Sequence, residues 1–349
     1  MTPPVAERAT APEILARCRA LVRPALGRAV RQLHPWHAEI TAFSLGWDGP
    51  DGRAIPGAQG KGIRQALAVL GAEAVGAKAE SAVRGAVAVE LIHTFSLLHD
   101  DIMDGDETRR KRATAWKAYG TGPAVLAGDS LFALAVQTLA DAPGARCVPA
   151  VRLLAGTLND LVRGQADDLL FETRPWTGPD AVQPHEYRLM AEHKTGSLLG
   201  CAAGLGAVLG GAGRTETDAL TAAGRHLGVA FQAMDDVLGI WGDPEVTGKP
   251  VHSDLRRQKK TYPVLTALAA GDRAALELGA LLRTGEPLDD GAVRRAAGLV
   301  EEAGGRSATM AEAHRHLESA RACLESVALA PDAVGELLAL LPFFVERTV

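Results

Sequence analysis

The 349-residue sequence predicts an all-α protein, and three observations predict it. Its long segments are built mainly from Ala, Leu, Glu and Arg, which lose little freedom in a helix. Alternating runs of β-branched or aromatic residues, the mark of a half-buried strand, are nearly absent. Val83, Val87, Leu91, Phe95 and Leu98 recur at intervals of four, four, four and three, the spacing of one helix face.

The elements follow in order. "MTPPVAERATAPEI" has no apolar core behind a basic head, so it does not read as a secretory signal. Residues 1–10 are expected to be a disordered tail, and 11–349 one helical domain. A first helix is predicted over 12–32, closed by "HPW" at 34, and a second over 61–78 after the Gly/Pro punctuation "GWDGPDG". The periodic segment from Val83 runs into Asp100. Further helices are predicted over 124–140, 148–171, 185–210, 216–240, 259–284 and, with breaks, 291–346. "DAPG" at 141, "TRPWTGP" at 173 and "GDPEVTGKP" at 242 separate them as turns, not as linkers. The most apolar stretch, "SLLGCAAGLGAVLGG" from Ser197, is too short to span a bilayer and rich in small residues. It predicts a tightly packed interior helix with no chemistry of its own. With no recognisable repeat, a bundle is expected in place of a solenoid.

Composition excludes several function classes. With 47% hydrophobic and 23% charged residues the chain can bury a sizeable core and stay soluble. A net charge of -5 and a pI near 6.1 argue against nucleic-acid binding. Cys18, Cys147, Cys201 and Cys323 are dispersed, without a CxxC or a Cys/His grouping, which fits a reducing cytoplasm.

Chemistry concentrates in "LLHDDIMDGDETRRKR", residues 97–112. On a helix Asp100 and Asp104 lie one above the other with Asp101 beside them, so three carboxylates crowd one side. A hard divalent cation relieves their repulsion, and Mg²⁺ takes one or two carboxylates together with water and phosphate oxygens. Alone, the pattern reads equally as a solvated acidic helix end. A second acidic pair, Asp235 and Asp236 in "FQAMDDVLGIWGD", ends another Ala-rich helix. If an even number of bundle crossings separates the two helices, both acidic ends open at one mouth, where several Mg²⁺ ions would hold a diphosphate. Metals need no help from many cations, yet the chain supplies "GKGIR", "RRKR", "HKTG" and "TGKPVHSDLRRQKK". A second diphosphate, bound directly, accounts for them.

This ordered series resembles the trans-prenyl (polyprenyl) diphosphate synthases, in particular bacterial geranylgeranyl diphosphate synthases, from the Gly60 region to Pro263. The motifs that carry it are "DDIMDGDETRR" (Asp100, Asp101, Asp104, Arg109, Arg110), "FQAMDD" (Phe231, Gln232, Asp235, Asp236), "GKGIR" (Lys61, Arg64), "GQADDL" (Gln165, Asp168), "HKTG" (Lys194, Thr195), "TGKP" (Lys249) and "SDLRRQKK" (Asp254, Lys259). The resemblance implies a helical bundle around a central substrate cavity and head-to-tail condensation of an allylic diphosphate with isopentenyl diphosphate. It implies three Mg²⁺ per site, held through Asp100, Asp104 and Asp235, with Asp101, Asp236 and Asp254 supporting metal-bound water. Arg109, Lys194, Lys249 and Lys259 would add charge to the allylic diphosphate, while Lys61, Arg64, His93 and Arg110 hold isopentenyl diphosphate. Thr195 and Gln232 would steady the allylic cation, and the departing diphosphate would take the final proton. The resemblance implies a homodimer; a cytoplasmic location without nucleic acid or stable membrane insertion is expected from the absent signals, the dispersed cysteines and the charge.

Bland readings stand beside these. His93 alone reads as a satisfied structural histidine, "RRKR" alone as a localisation or nucleic-acid patch, and Arg347 as a solvated tail. The sequence departs from the family at Gly239, where an aspartate is usual, and at Gln65, where a proline often stands. Gly239 removes a carboxylate from the face of Asp235, and Asp243, two turns further on, is placed to compensate in part. Product length is read from the residues before the first motif. Phe95 lies roughly 7.5 Å deeper than Asp100 along its helix. Phe95, a small Ser96 and an uninterrupted motif resemble the pattern of twenty-carbon products, so geranylgeranyl diphosphate is expected, with farnesyl diphosphate or a longer chain as the alternative. A class I terpene cyclase would have no use for Lys61, Arg64 and Arg110. A non-catalytic subunit would have lost the acidic residues kept here.

Overall fold

Helix follows helix along the chain, as the composition requires. The computed structural model describes residues 9–49, 60–109, 111–244, 250–283 and 287–345. Arg110, Lys249 and Arg347 lie outside the described residues.

Helix α1 (Ala11–Val30) begins at a cap that removes Thr10 from the expected tail. The Thr10 backbone N–H and hydroxyl both donate to the Glu13 carboxylate, at 2.8 and 2.7 Å, so the T-x-x-E pattern anchors the chain. Helices α2 (Pro35–Ser44), α3 (Ile63–Ala74) and α4 (Val83–Met103) follow. The start of α3 falls after Lys61 because Gly62 sits at a φ of 75°, which a helix cannot continue. Two short strands, β1 (Thr108–Arg109) and β2 (Arg112–Ala113), pair antiparallel, with Arg109 opposite Arg112. Then come α5 (Ala115–Tyr119), α6 (Thr121–Ala140) and α7 (Cys147–Thr173).

The helix expected over 185–210 is interrupted. It consists of α8 (Pro184–Ala191), a π-turn at Glu192–Gly196 and α9 (Ser197–Gly210). After α10 (Arg214–Trp241) come the single turn α11 (Ser253–Arg256), α12 (Tyr262–Ala269) and α13 (Arg273–Leu282), the last two dividing the segment expected over 259–284. The final segment is three helices, α14 (Asp290–Glu302), α15 (Gly305–Glu325) and α16 (Pro331–Val345). Gly304, at a φ of 78°, marks the first of its breaks.

The chain forms two compact units. One comprises Met1–Gly156, Cys201–Thr221 and Leu324–Leu340; the other comprises Thr157–Gly200, Ala222–Cys323 and Leu341–Val349. In the first, α4 packs along α6 and against α1 and α3, with Ile14, Leu67, Leu70, Leu91, Ile92 and Leu131 fully buried. A Cβ on Gly206 would strike the Ala68 backbone, and one on Gly71 the Ala203 backbone. Helix α3 and the small-residue helix α9 therefore touch backbone to backbone, the close contact expected of that stretch. In the second unit, α12, α13 and α14 enclose Val264, Leu278, Leu282, Val293 and Val300. Each such side chain contributes about 1.5–3 kcal/mol by leaving water. Tyr187 and Met190 of α8 pack with Tyr262 and Leu265 of α12 and with Phe171.

Candidate functional site

In the first unit, α4 carries the acidic motif on its last turn. The Asp104 N–H donates to the Asp100 carbonyl at 2.8 Å, so the helix is intact through Asp100 and Asp104 stands at its C-cap. These carboxylates are one turn apart on one edge, at the helix end that favours cations. Asp101 is different. It is 5% exposed, its Oδ1 accepts a 2.8 Å hydrogen bond from Arg109 Nε, and Arg109 Nη2 is ion-paired to the same oxygen at 2.7 Å. Burial pushes its carboxyl up, and Arg109 opposes that rise.

The hairpin makes this pairing possible. Lys111, at a φ of 61°, reverses the chain, and the Asp106 carbonyl accepts from the Thr114 hydroxyl (2.7 Å) and the Trp116 indole (2.9 Å). Arg112 turns the other way, lying over the Phe43 ring and donating to the Phe43 and Asp48 carbonyls. The basic run is thus shared out: Arg109 serves the acidic motif and Arg112 fastens the hairpin to α2.

The same unit holds Lys61, exposed just before α3, Arg64 in the first turn of α3, and a half-buried His93 on α4. The Lys61 carbonyl accepts from Arg19, and the His93 carbonyl accepts the Ser96 hydroxyl at 2.9 Å. Phe95 points toward α6. Its ring centroid is 4.7 Å from that of His99 and 5.7 Å from that of Phe132, and a Cβ on Gly128 would come within 2.5 Å of His99 Nε2.

In the second unit, the π-turn presents Lys194 and Thr195. A turn of this kind carries one residue more than an α-helical turn and recurs at functional positions. Gly164 and Gly228 give it room, since a Cβ on either would overlap the turn's backbone. Lys194 Nζ meets Asp168 Oδ2 at 2.5 Å. The Thr195 hydroxyl donates to Gln232 Oε1 (2.9 Å), and Gln232 Nε2 donates to Asp236 Oδ1 (3.0 Å). Asp236 Oδ2 accepts from the Tyr187 hydroxyl (2.7 Å) and the Tyr262 N–H (3.1 Å). Burial lifts the Asp236 carboxyl to about 7 against these donors, and the charge of Asp254 adds to the rise. Asp235, beside it, is half-buried. Lys259 is half-buried and its N–H donates to the Asp254 carbonyl at 2.9 Å. Asp243 lies beyond the end of α10, so a helical wheel does not carry it to the Asp235 face.

Sequence reasoning missed Tyr187, Tyr262 and Lys260. Lys260 is buried with its ammonium 4.4 Å from the Trp176 ring centroid, and burial lowers its pKa. Aromatic residues outside the charged motifs offered no signal for these contacts.

The donor chemistry fits magnesium. The candidate ligands are carboxylate oxygens, and among the described residues no three Asp, Glu, His or Cys side chains converge to hold an ion unaided. Mg²⁺ suits such a set because it keeps most of its positions for water and phosphate oxygens. In the first unit Asp100 and Asp104 would hold it and in the second Asp235 would, while Asp101 and Asp236 are engaged by donors within the protein.

The family profile described as Polyprenyl synthetase matches residues 52–300. A protein of Mycobacterium bovis named (2E,6E)-farnesyl diphosphate synthase is 42% identical over 337 residues, covering 96% of this chain and 92% of that one. A Mycobacterium tuberculosis protein named geranylgeranyl diphosphate synthase is 41% identical over 324 residues, 92% of this chain and 91% of that one. The crystal structure of a polyprenyl synthetase from Streptomyces coelicolor A3(2) superposes with a TM-score of 0.90 at 45% identity, covering 95% of this chain and 98% of that chain.

Proposed function

Because the chain belongs to the polyprenyl synthetase family, we propose that it condenses an allylic diphosphate with isopentenyl diphosphate head to tail, depends on Mg²⁺, and makes mainly geranylgeranyl diphosphate. The observation that carries this reading is the intact acidic turn, with Asp100 and Asp104 stacked at the end of α4 and Asp101 held by Arg109.

In the first unit Asp100 and Asp104 would hold Mg²⁺, and in the second Asp235 would. Held there, Mg²⁺ would supply positive charge against the diphosphate oxygens as the carbon–oxygen bond breaks. Lys194 and Lys259 add positive charge on the protein's side. The Thr195 hydroxyl donates its hydrogen bond to Gln232 Oε1, which leaves the hydroxyl oxygen's lone pairs to face a developing allylic cation. Lys61, Arg64 and His93 orient isopentenyl diphosphate so that its double bond attacks that carbon, and the proton lost afterwards passes to the departed diphosphate.

Support for a twenty-carbon product comes from Phe95, whose ring is wedged between His99 and Phe132, and from the small side chain of Ser96. A fifteen-carbon product is the second reading, favoured by the farnesyl name of the Mycobacterium bovis relative. A homodimer is part of the proposal, supported by the exposure of two large apolar side chains on α6, Leu126 at 53% and Phe132 at 39%.

Incubating the pure protein with Mg²⁺ and an allylic diphosphate, with and without isopentenyl diphosphate, tests the reading. Chain elongation only when both are present is expected. Cyclic products from the allylic substrate alone, or no turnover, would overturn it.

A further inference from the structure

Lys260 stands where an apolar side chain would be expected. It is 8% exposed, next to the half-buried Lys259, and burying an ammonium costs free energy that a residue such as Met does not incur. Its direct contacts are few. The ammonium lies 4.4 Å from the centroid of the Trp176 ring and donates to the Glu172 carbonyl at 3.3 Å. Burial lowers its pKa, the Glu172 carboxylate opposes that fall and Arg174 adds to it.

Both partners are fastened in place. Glu172 is the penultimate residue of α7, so its carbonyl is among the last four of the helix, which lack an intrahelical donor and favour a cation. Trp176 packs against the core enclosed by α12, α13 and α14. Arg174, between them, is held by the Glu186 carboxylate at 2.8 and 3.1 Å and by the Asp180 and Ala181 carbonyls. One turn before Glu172 on α7 stands Asp168, the partner of Lys194.

The segment that carries Lys260 is short. Lys259, Lys260 and Thr261 are the only residues between the turn at Gln258, whose φ is 52°, and the start of α12. The Lys259 N–H donates to the Asp254 carbonyl at 2.9 Å, and the Tyr262 N–H donates to Asp236 Oδ2 at 3.1 Å. With two soft dihedrals per residue, seating the Lys260 side chain leaves the backbone of Lys259 little freedom.

We infer that Lys260 is a positioning residue, whose ammonium, seated on Trp176 and on the end of α7, sets the backbone from which Lys259 serves the diphosphate. The inference rests on the functional reading above, in which Lys259 and Lys194 add charge to that group.

The test measures the Mg²⁺-dependent binding of inorganic diphosphate by isothermal titration calorimetry, with KM and kcat for both substrates and thermal melts alongside. Lys260→Met should raise the diphosphate Kd and the KM for the allylic diphosphate about tenfold, with kcat lowered less and the KM for isopentenyl diphosphate unchanged. Lys260→Arg, which keeps a cation over the indole, should stay within about threefold of wild type. Because Lys260 acts through its neighbour, adding Lys260→Met to Lys259→Met should cost no more than about twofold beyond Lys259→Met alone. Trp176→Phe decides the matter if Lys260→Met does not fold, with a loss of about two- to fivefold when Lys259 is present and none in Lys259→Met. Wild-type Kd in Lys260→Met overturns the inference, as do Lys260→Arg no better than Lys260→Met, or losses that are the same with and without Lys259, when the melts are native. A chain that shows this coupling in diphosphate binding but no prenyl transfer supports the role of Lys260 and overturns only the functional reading. Prenyl transfer with additive losses does the reverse.

Discussion

The hydroxyl of Tyr187, on α8, donates a 2.7 Å hydrogen bond to Oδ2 of Asp236, on α10, and both side chains are almost wholly buried. It ties the helix before the π-turn to the second acidic motif. Tyr187→Phe deletes one of the donors that make a buried carboxylate tolerable, and a loss of about 1–3 kcal/mol in urea denaturation is expected. Stability equal to wild type would show that the bond contributes nothing to the fold.

Asp100→Ala and Asp235→Ala should each lower turnover by orders of magnitude with helicity unchanged, because they remove charge-stabilising ligands. Asp101→Asn should also lower the melting temperature, since Arg109 loses its ionic partner. A melting temperature that is unaltered would make Asp101 a pure site residue.

Lys194 and Asp168 meet at 2.5 Å beside the π-turn. Lys194→Met should cut kcat/KM for the allylic diphosphate roughly 10–100-fold, the scale of a hydrogen bond to a charged group. Asp168→Asn should cost less, because the ammonium stays. The reverse ranking would assign the substrate contact to Asp168.

His226 Nδ1 and His316 Nδ1 are 2.9 Å apart, and His316 Nε2 faces Glu312 at 3.1 Å. Only one Nδ1 proton fits between the rings, so a second proton breaks the bond. Burial lowers both imidazole pKa values; His316 further disfavours charge on His226, Arg188 and Arg315 disfavour it on His316, and Glu192 opposes the fall in both. The neutral pair is therefore favoured by folding, and its contribution is present above the unfolded pKa of about 6.5 and lost as pH falls. Urea midpoints should drop between about pH 7.5 and about pH 5.5 more in wild type than in His226→Phe. Equal drops would exclude the pair as the source.

Phe95→Ala should lengthen the prenyl product and Ser96→Phe should shorten it toward fifteen carbons, as read by chromatography of the dephosphorylated alcohols. Because Phe95 leans on Phe132, Phe132→Ala should act in the same direction as Phe95→Ala. No change in any of the three would place the floor elsewhere.

Much of this was legible in the sequence. The spacing of Val83, Val87, Leu91, Phe95 and Leu98 marks α4 because one face of a long helix repeats many times. The charged motifs were legible because unlike charges so close together demand a partner. Contacts between distant segments were not. Gly239 reads as a lost ligand, and nothing in the sequence shows that the Asp254 carboxylate lies against it. The β1–β2 ladder is too short for a period, and Arg109 belongs to Asp101 only once the chain reverses at Lys111. The depth of Phe95 below Asp100 follows from the helix rise, yet what its ring meets there depends on α6.

The π-turn makes this stretch unusually sensitive to the length of the chain. Removing one residue from Glu192–Gly196 would let α8 and α9 join as an uninterrupted helix, and local propensity would favour the repair. The joined helix would be turned by about 100° on one side of the deletion. With the start of α9 held by the close approach of Gly224 on α10 to the Leu199 and Gly200 backbone, α8 would have to rotate, carrying Tyr187 away from Asp236. A single-codon deletion here should therefore be more damaging than most substitutions, and related sequences are expected to tolerate changes of side chain within the turn but not of residue number.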